Sequence, residues 1–192
     1  MISLLEAVSP TSRHLLRKCF NSPAMLTAVD QINSRLAENS DRVCATDWST
    51  DYKLAWLIGR TGNIANSMKR HEAVLDVAGC AFAWLESLHI KPMDILVRIA
   101  DERLRQRKLF TDGIHHFRMD SPVVDWTRKL RVLAEEVGEV AEAIDQLEAK
   151  PQSKQAKAHF VTELVQVAAV AVAWLESLQT ATMQTTTTTK GK

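Results

Sequence analysis

One seven-residue string occurs twice in this chain with a single change, so that six residues in a row are identical. Phe82-Ala83-Trp84-Leu85-Glu86-Ser87-Leu88 returns, with Val172 in place of Phe82, as Val172-Ala173-Trp174-Leu175-Glu176-Ser177-Leu178. Internal self-similarity constrains a fold more than any single motif, because each copy must form the same supersecondary unit. The second copy follows an acid-rich helix whose counterpart in the first copy has lost its acids. The expectation is an old duplication in which one copy kept the chemistry.

Other positions align around this string. Met25, Val29, Arg35 and Leu36 match Met93, Val97, Arg103 and Leu104 at an offset of 68. Leu54, Leu57, Ile64 and Met68 match Leu130, Leu133, Val140 and Ile144 at an offset of 76, and Trp84 matches Trp174 at 90. Matches held at growing offsets are what longer loops between preserved helices produce.

Each copy reads as three helices. Only six glycines and five prolines punctuate 192 residues, so long stretches run without a breaker. Pro92 suits the first turn of a helix over 93–109. Asp125 is a candidate N-cap for a helix from Trp126 to about Leu147. Its apolar residues at 130, 133, 137, 140, 144 and 147 alternate by three and four, which makes one seam facing a partner helix. A last helix, 155–178, is apolar nearly all round from Leu164 to Leu175 and so belongs in the centre of a bundle. The first copy repeats the plan near 23–38, 48–69 and 71–88, behind a short amphipathic lead-in over 1–20. The fold class is therefore all-α: a tandem-repeat helical bundle, with a structural half over 1–90 and a second half over 91–180. Residues 181–192, with Thr185 to Thr189 unbroken, read as a disordered tail.

Charge excludes rather than assigns. The formal net charge is +1, which gives no global argument for nucleic acid or an anionic membrane. The run Arg103 to Lys108 is too small to change that. Three widely spaced cysteines show no metal-ligand spacing and fit a reduced, cytoplasmic protein. The longest wholly apolar run, Val167 to Leu175, is nine residues, against the roughly 20 that span a bilayer. No secretory leader is visible at the N-terminus.

The chemistry concentrates in Leu133-Ala134-Glu135-Glu136-Val137-Gly138-Glu139. Glu135, Glu136 and Glu139 share one side of a helix beside the seam. Like charges at this spacing cost a few tenths of a kcal/mol per pair, a penalty that a divalent cation reverses. Gly138 sacrifices roughly 1 kcal/mol of helix propensity, as though something approached the backbone there. On the last helix Glu163 opens the apolar run, and Gln166, one turn on, is an amide that needs partners if buried.

Glu135-Glu136-x-x-Glu139, followed by Glu163-x-x-Gln166, resembles the all-α nucleoside triphosphate pyrophosphatases of the MazG type, whose pattern is Glu-Glu-x-x-Glu, a spacer, then Glu-x-x-Asp. The stretch from about Ile95 to Leu178 is especially similar to MazG-like proteins of integron cassettes and phages. The resemblance implies hydrolysis of (d)NTPs to the monophosphate and pyrophosphate, in nucleotide-pool house-cleaning. It implies Mg²⁺, or Mn²⁺ as a substitute, held by Glu136, Glu139, Glu163 and Gln166, with catalysis shared by Glu135 and Glu136. Gln166 departs from the family's Asp. The preserved Ala-Trp-Leu-Glu-Ser-Leu ends suggest that the two copies lie against each other about a pseudo-twofold axis, as a fused dimer with a further face open to dimerisation. The alternative is a bundle that binds nucleotide or a protein partner without turnover.

In the first copy the acids fall on Gly59, Arg60, Asn63 and Ala73, and only Asp76 is acidic, opposite Gln166. Three further residues are candidates for substrate contact: Trp126 for stacking, Lys129 for phosphate, and His116, beside His115, for base or phosphate. Each has a plainer role open to it: packing for Trp126, whose repeat mate is Trp48, and a solvated surface for the other two.

Overall fold

The computed structural model describes residues 23–38 and 48–189, with side chains as far as Ala181. These residues form six helices and no strand: α1 (Pro23–Glu38), α2 (Thr50–Asn66), α3 (Arg70–Ser87), α4 (Pro92–Thr111), α5 (Trp126–Ala149) and α6 (Lys154–Thr189). The all-α expectation holds. The expected lead-in over 1–20, and Cys19 and Cys44, lie outside the described residues.

Local chemistry sets the helix ends. Pro92 opens α4, where its missing N–H is no loss. Asp125 accepts from Thr127 N at 2.8 Å and caps α5 as expected. Ser49 caps α2 through Tyr52 N, and Ser153 caps α6 through Ala156 N, at 3.2 Å each. Past α4 the chain turns at Gly113, whose φ of 76° needs glycine.

The core forms because α3 and α6 are apolar on nearly every side and pack against each other, while α2 packs on α5. Trp84 in α3 and Trp174 in α6 are each 1% exposed, and Trp84 meets Phe160 edge to face at 5.6 Å. The α5 seam is buried at Leu133, Val137, Val140 and Ile144. By length and composition α6 could cross a membrane, but 72% of its apolar window is buried inside the protein.

Two findings differ from expectation. The backbone of α6 stays helical to Thr189, through threonines expected to lie outside the fold. Extending an existing helix avoids the cost of nucleation, which outweighs the weak propensity of threonine. Beyond the local backbone of its own helix, a Cβ at Gly138 would meet no protein atom within 4 Å, so no other chain segment approaches the backbone there.

Candidate metal and anion cavity

Helices α5 and α6 pack side by side and bring their acids together. One carboxylate oxygen from each of Glu136, Glu139 and Glu163 lies within 4.8 Å of the other two. Oxygens around a single Mg²⁺ at about 2.1 Å are separated by about 3 to 4.2 Å, so a small contraction closes the set on an ion. Among the described residues this is the only such acidic group. Glu136 Oε2 is buried with no hydrogen-bond partner, an arrangement that disfavours the free carboxylate. Burial, then the charges of Glu139, Glu102, Glu163 and Glu135, push the Glu136 carboxyl up to about 8. Burial and Glu139 also raise Glu163, while His159 opposes the shift. An orphaned buried oxygen among hard oxygen donors fits a divalent cation such as Mg²⁺.

Gln166 sits one turn from Glu163 and is engaged through both its nitrogen and its oxygen. Its amide donates to Glu163 Oε2, and its oxygen accepts from Arg105 Nη2 at 3.1 Å. Arg105 also forks onto Glu102 at 2.6 and 2.8 Å. As placed, the Gln166 oxygen faces a guanidinium rather than the acidic trio. His159 Nδ1 stands 3.0 Å from Glu163 Oε1.

Glu135, Glu136 and Glu139 form one wall of a cavity of about 390 Å³. The rest of its lining is rich in arginine: Arg105 and Arg107 from α4 and Arg118 from the α4–α5 loop, with His115 and His116 of the same loop beside them. That loop is pinned by a buried ion network. Asp120, its side chain 3% exposed, accepts from Arg118 at 2.7 Å, Arg103 at 3.0 Å and Arg107 at 3.2 Å. Glu176 of the repeated string receives Arg103 at 3.4 Å. Burial would raise the Asp120 carboxyl, but the Arg118 hydrogen bonds and the charges of Arg103 and Arg107 hold it down to about 2.

The candidate substrate contacts separate. His116 lines the cavity. Lys129 does not: it is 2% exposed and donates to Ser121 O at 2.8 Å and to Ser177 Oγ. It ties the loop and α5 to α6, and burial lowers its pKa to about 8. Trp126 also lies away from the cavity, with the Arg70 guanidinium 4.1 Å over its ring. Sequence reasoning missed Glu102, Arg105, Arg118, Asp120 and His159. Only Arg103 and Arg107, four apart on one helix face, carried a local signal of a shared target.

In the first half, Asp76 accepts from Arg35 at 2.8 Å and from Arg60 at 3.0 Å. Protein cations there neutralise the one acid left. No family model matches this chain, and neither does any curated protein or any solved structure.

Proposed function

We propose that the chain is a Mg²⁺-dependent nucleoside triphosphate pyrophosphohydrolase, releasing the monophosphate and pyrophosphate. The observation that carries this is the cavity itself, lined by Glu135, Glu136 and Glu139 together with Arg105, Arg107 and Arg118, with Glu163 brought within reach of Glu136 and Glu139. A triphosphate needs both, a cation bridging its oxygens and donors for its remaining charge. Glu136, Glu139 and Glu163 would hold the ion, Mg²⁺ or in its place Mn²⁺. When bound, such an ion neutralises phosphate charge and polarises the attacked phosphoryl group. Glu135, exposed on the cavity wall, accepts a proton from the attacking water as that water displaces pyrophosphate from the α-phosphorus. Arg107, Arg118 and His116 orient phosphate oxygens.

The first half serves as the structural partner of the second, in a fused pseudo-dimer. Two parallel contacts support this. Lys53 donates to Ser87 Oγ at 2.9 Å, and Lys129 donates to Ser177 Oγ, at offsets of 76 and 90. Each serine in turn donates to the tryptophan carbonyl three residues back. The expected role is nucleotide-pool house-cleaning in the cytoplasm.

One observation favours a second reading, a bundle that holds nucleotide without turnover: Gln166 stands where the motif has an acid, and its oxygen is taken by Arg105. Pyrophosphate release from a panel of (d)NTPs with Mg²⁺ separates the two. Turnover lost in Glu136→Gln supports hydrolysis at this site. Melting shifts with nucleotide but no pyrophosphate from any member of the panel would replace the hydrolase with a binding protein.

A further inference from the structure

The charge arrangement around Arg105 has a consequence for the order of assembly. Its guanidinium is bonded to Glu102 and Gln166, and the charges of Glu136 and Glu163 act on it. It is a fixed cation at the edge of a cluster built for a mobile one. Like charges at that range repel, so Arg105 weakens the hold on a bare metal ion. The same charge attracts an anion delivered with the metal. Arg105's contact with Gln166 is to a neutral amide oxygen, and a phosphate oxygen forms the stronger, charge-assisted bond. Further unmet donor capacity lies in the same lining: Arg103 borders the cavity, is 2% exposed, and leaves its buried Nε without a hydrogen-bond partner.

We infer that the cavity takes cation and anion as one unit, a divalent metal carried on a polyphosphate, and that Arg105 couples the two. This rests on the metal site proposed above. Coupling is reciprocal, so whatever makes the metal depend on the phosphate makes the phosphate depend on the metal equally.

The test uses the full chain, with Mn²⁺ alone and Mn²⁺ with inorganic pyrophosphate, followed by spin-resonance titration and calorimetry. In the wild type, pyrophosphate tightens Mn²⁺ binding by about tenfold or more. Arg105→Gln moves the two constants in opposite directions. Mn²⁺ alone binds about fivefold tighter, while pyrophosphate in the presence of Mn²⁺ binds at least about tenfold weaker. Lys108→Gln, an exposed cation on the same helix that pairs with Asp112, leaves both unchanged. Arg105→Gln shifting both constants the same way, or neither, overturns the coupling and leaves the metal site standing. A wild type that binds no Mn²⁺, with or without pyrophosphate, overturns the metal site and the coupling with it.

Discussion

Arg60 holds Asp76 at 3.0 Å, and the two occupy in the first half the positions that Glu136 and Gln166 occupy in the second. The pair inverts the chemistry at matching places. In the first half Asp76, the one acid left at the matching positions, is neutralised by the guanidiniums of Arg60 and Arg35. In α5 and α6 the acid gathers further acids, and the compensating charge has to come from elsewhere. The first arrangement is balanced by protein cations, whereas the second leaves a buried Glu136 oxygen without a hydrogen-bond partner.

That buried carboxyl appears in the pH dependence of the metal-free protein. Glu136 has its carboxyl raised to about 8 in the folded state, against 4.5 as its ordinary value. The folded state therefore holds this proton more tightly than the unfolded chain. Its contribution to stability is complete below about pH 4.5 and is lost as pH rises through 8. Glu136→Gln removes this dependence. Without divalent ions the variant is more stable than wild type at pH 8, by about 2 kcal/mol and below the full linkage value because the cavity is open. Urea unfolding at pH 5 and pH 8 with a chelator measures both, and a wild-type slope unchanged by the substitution contradicts the assignment. Pyrophosphate release by the variant falls to background.

Asp120 behaves with the opposite sign. Its carboxyl is held to about 2 in the fold, below its ordinary 3.8. The stability it contributes is present above pH 3.8 and disappears as pH falls toward 2. Asp120→Asn leaves Arg103 buried with only Glu176 as its acid partner, and the protein loses about 3 kcal/mol at pH 7. The variant also loses less stability than wild type between pH 4 and pH 2. Denaturant midpoints across that range test the claim. Equal acid sensitivity in the two proteins would place the stabilising charge elsewhere.

How much of this was legible beforehand follows sequence distance. Glu135, Glu136 and Glu139 lie within five residues, so helical periodicity alone groups them, and the α5 seam is visible for the same reason. The arginine-rich lining is different. Arg103 and Asp120 are 17 residues apart, Arg103 and Glu176 73 apart, and no local period links them. Lys129 reads in sequence as part of a solvated basic face with Arg128 and Arg131; those two are exposed, but Lys129 is buried. Only tertiary packing delivers its amine to Ser177. Glu176 and Glu86 sit in identical strings, yet one is buried against Arg103 and the other is exposed.

Gly138 is exposed in mid-helix with no protein atom beyond its own local helix backbone near its missing Cβ. Gly138→Ala should stabilise the metal-free protein by about 1 kcal/mol through helix propensity and a less flexible unfolded chain. Thermal melts give the sign directly. A lower melting temperature would mean that the backbone at this point is strained in a way an alanine cannot adopt.

Restoring the missing acid has a modest effect while Arg105 is present. Gln166→Asp places a carboxylate next to a guanidinium that is ready to pair with it. Bare Mn²⁺ affinity then rises by less than about tenfold, or 1.4 kcal/mol. Combined with Arg105→Gln, the new carboxylate is unpaired, and the double variant gains more than the two single gains together. Calorimetric titration of the four proteins gives this coupling, and strict additivity would separate residue 166 from Arg105 in function.

The halves should not be separable. In the intact chain α6 is covered by α5, α3, α1 and α4, and its residues from Val167 to Leu175 are at most 1% exposed. A fragment from Pro92 to Leu178 keeps α4 and α5 but strips away α1 and α3. Leu164, Val167, Val170 and Trp174 lie on successive turns of α6, and the side that faced α3 becomes open apolar surface. Patches of that kind drive self-association. A second fragment is the partner at hand, because its own α6 carries the same need and an isologous pairing satisfies both at once. The fragment then forms a dimer with two acidic trios, binding two Mn²⁺ per dimer, or it aggregates. Light scattering with metal titration distinguishes these states. A monodisperse, folded monomer with full metal affinity would remove the first half from the role of structural partner.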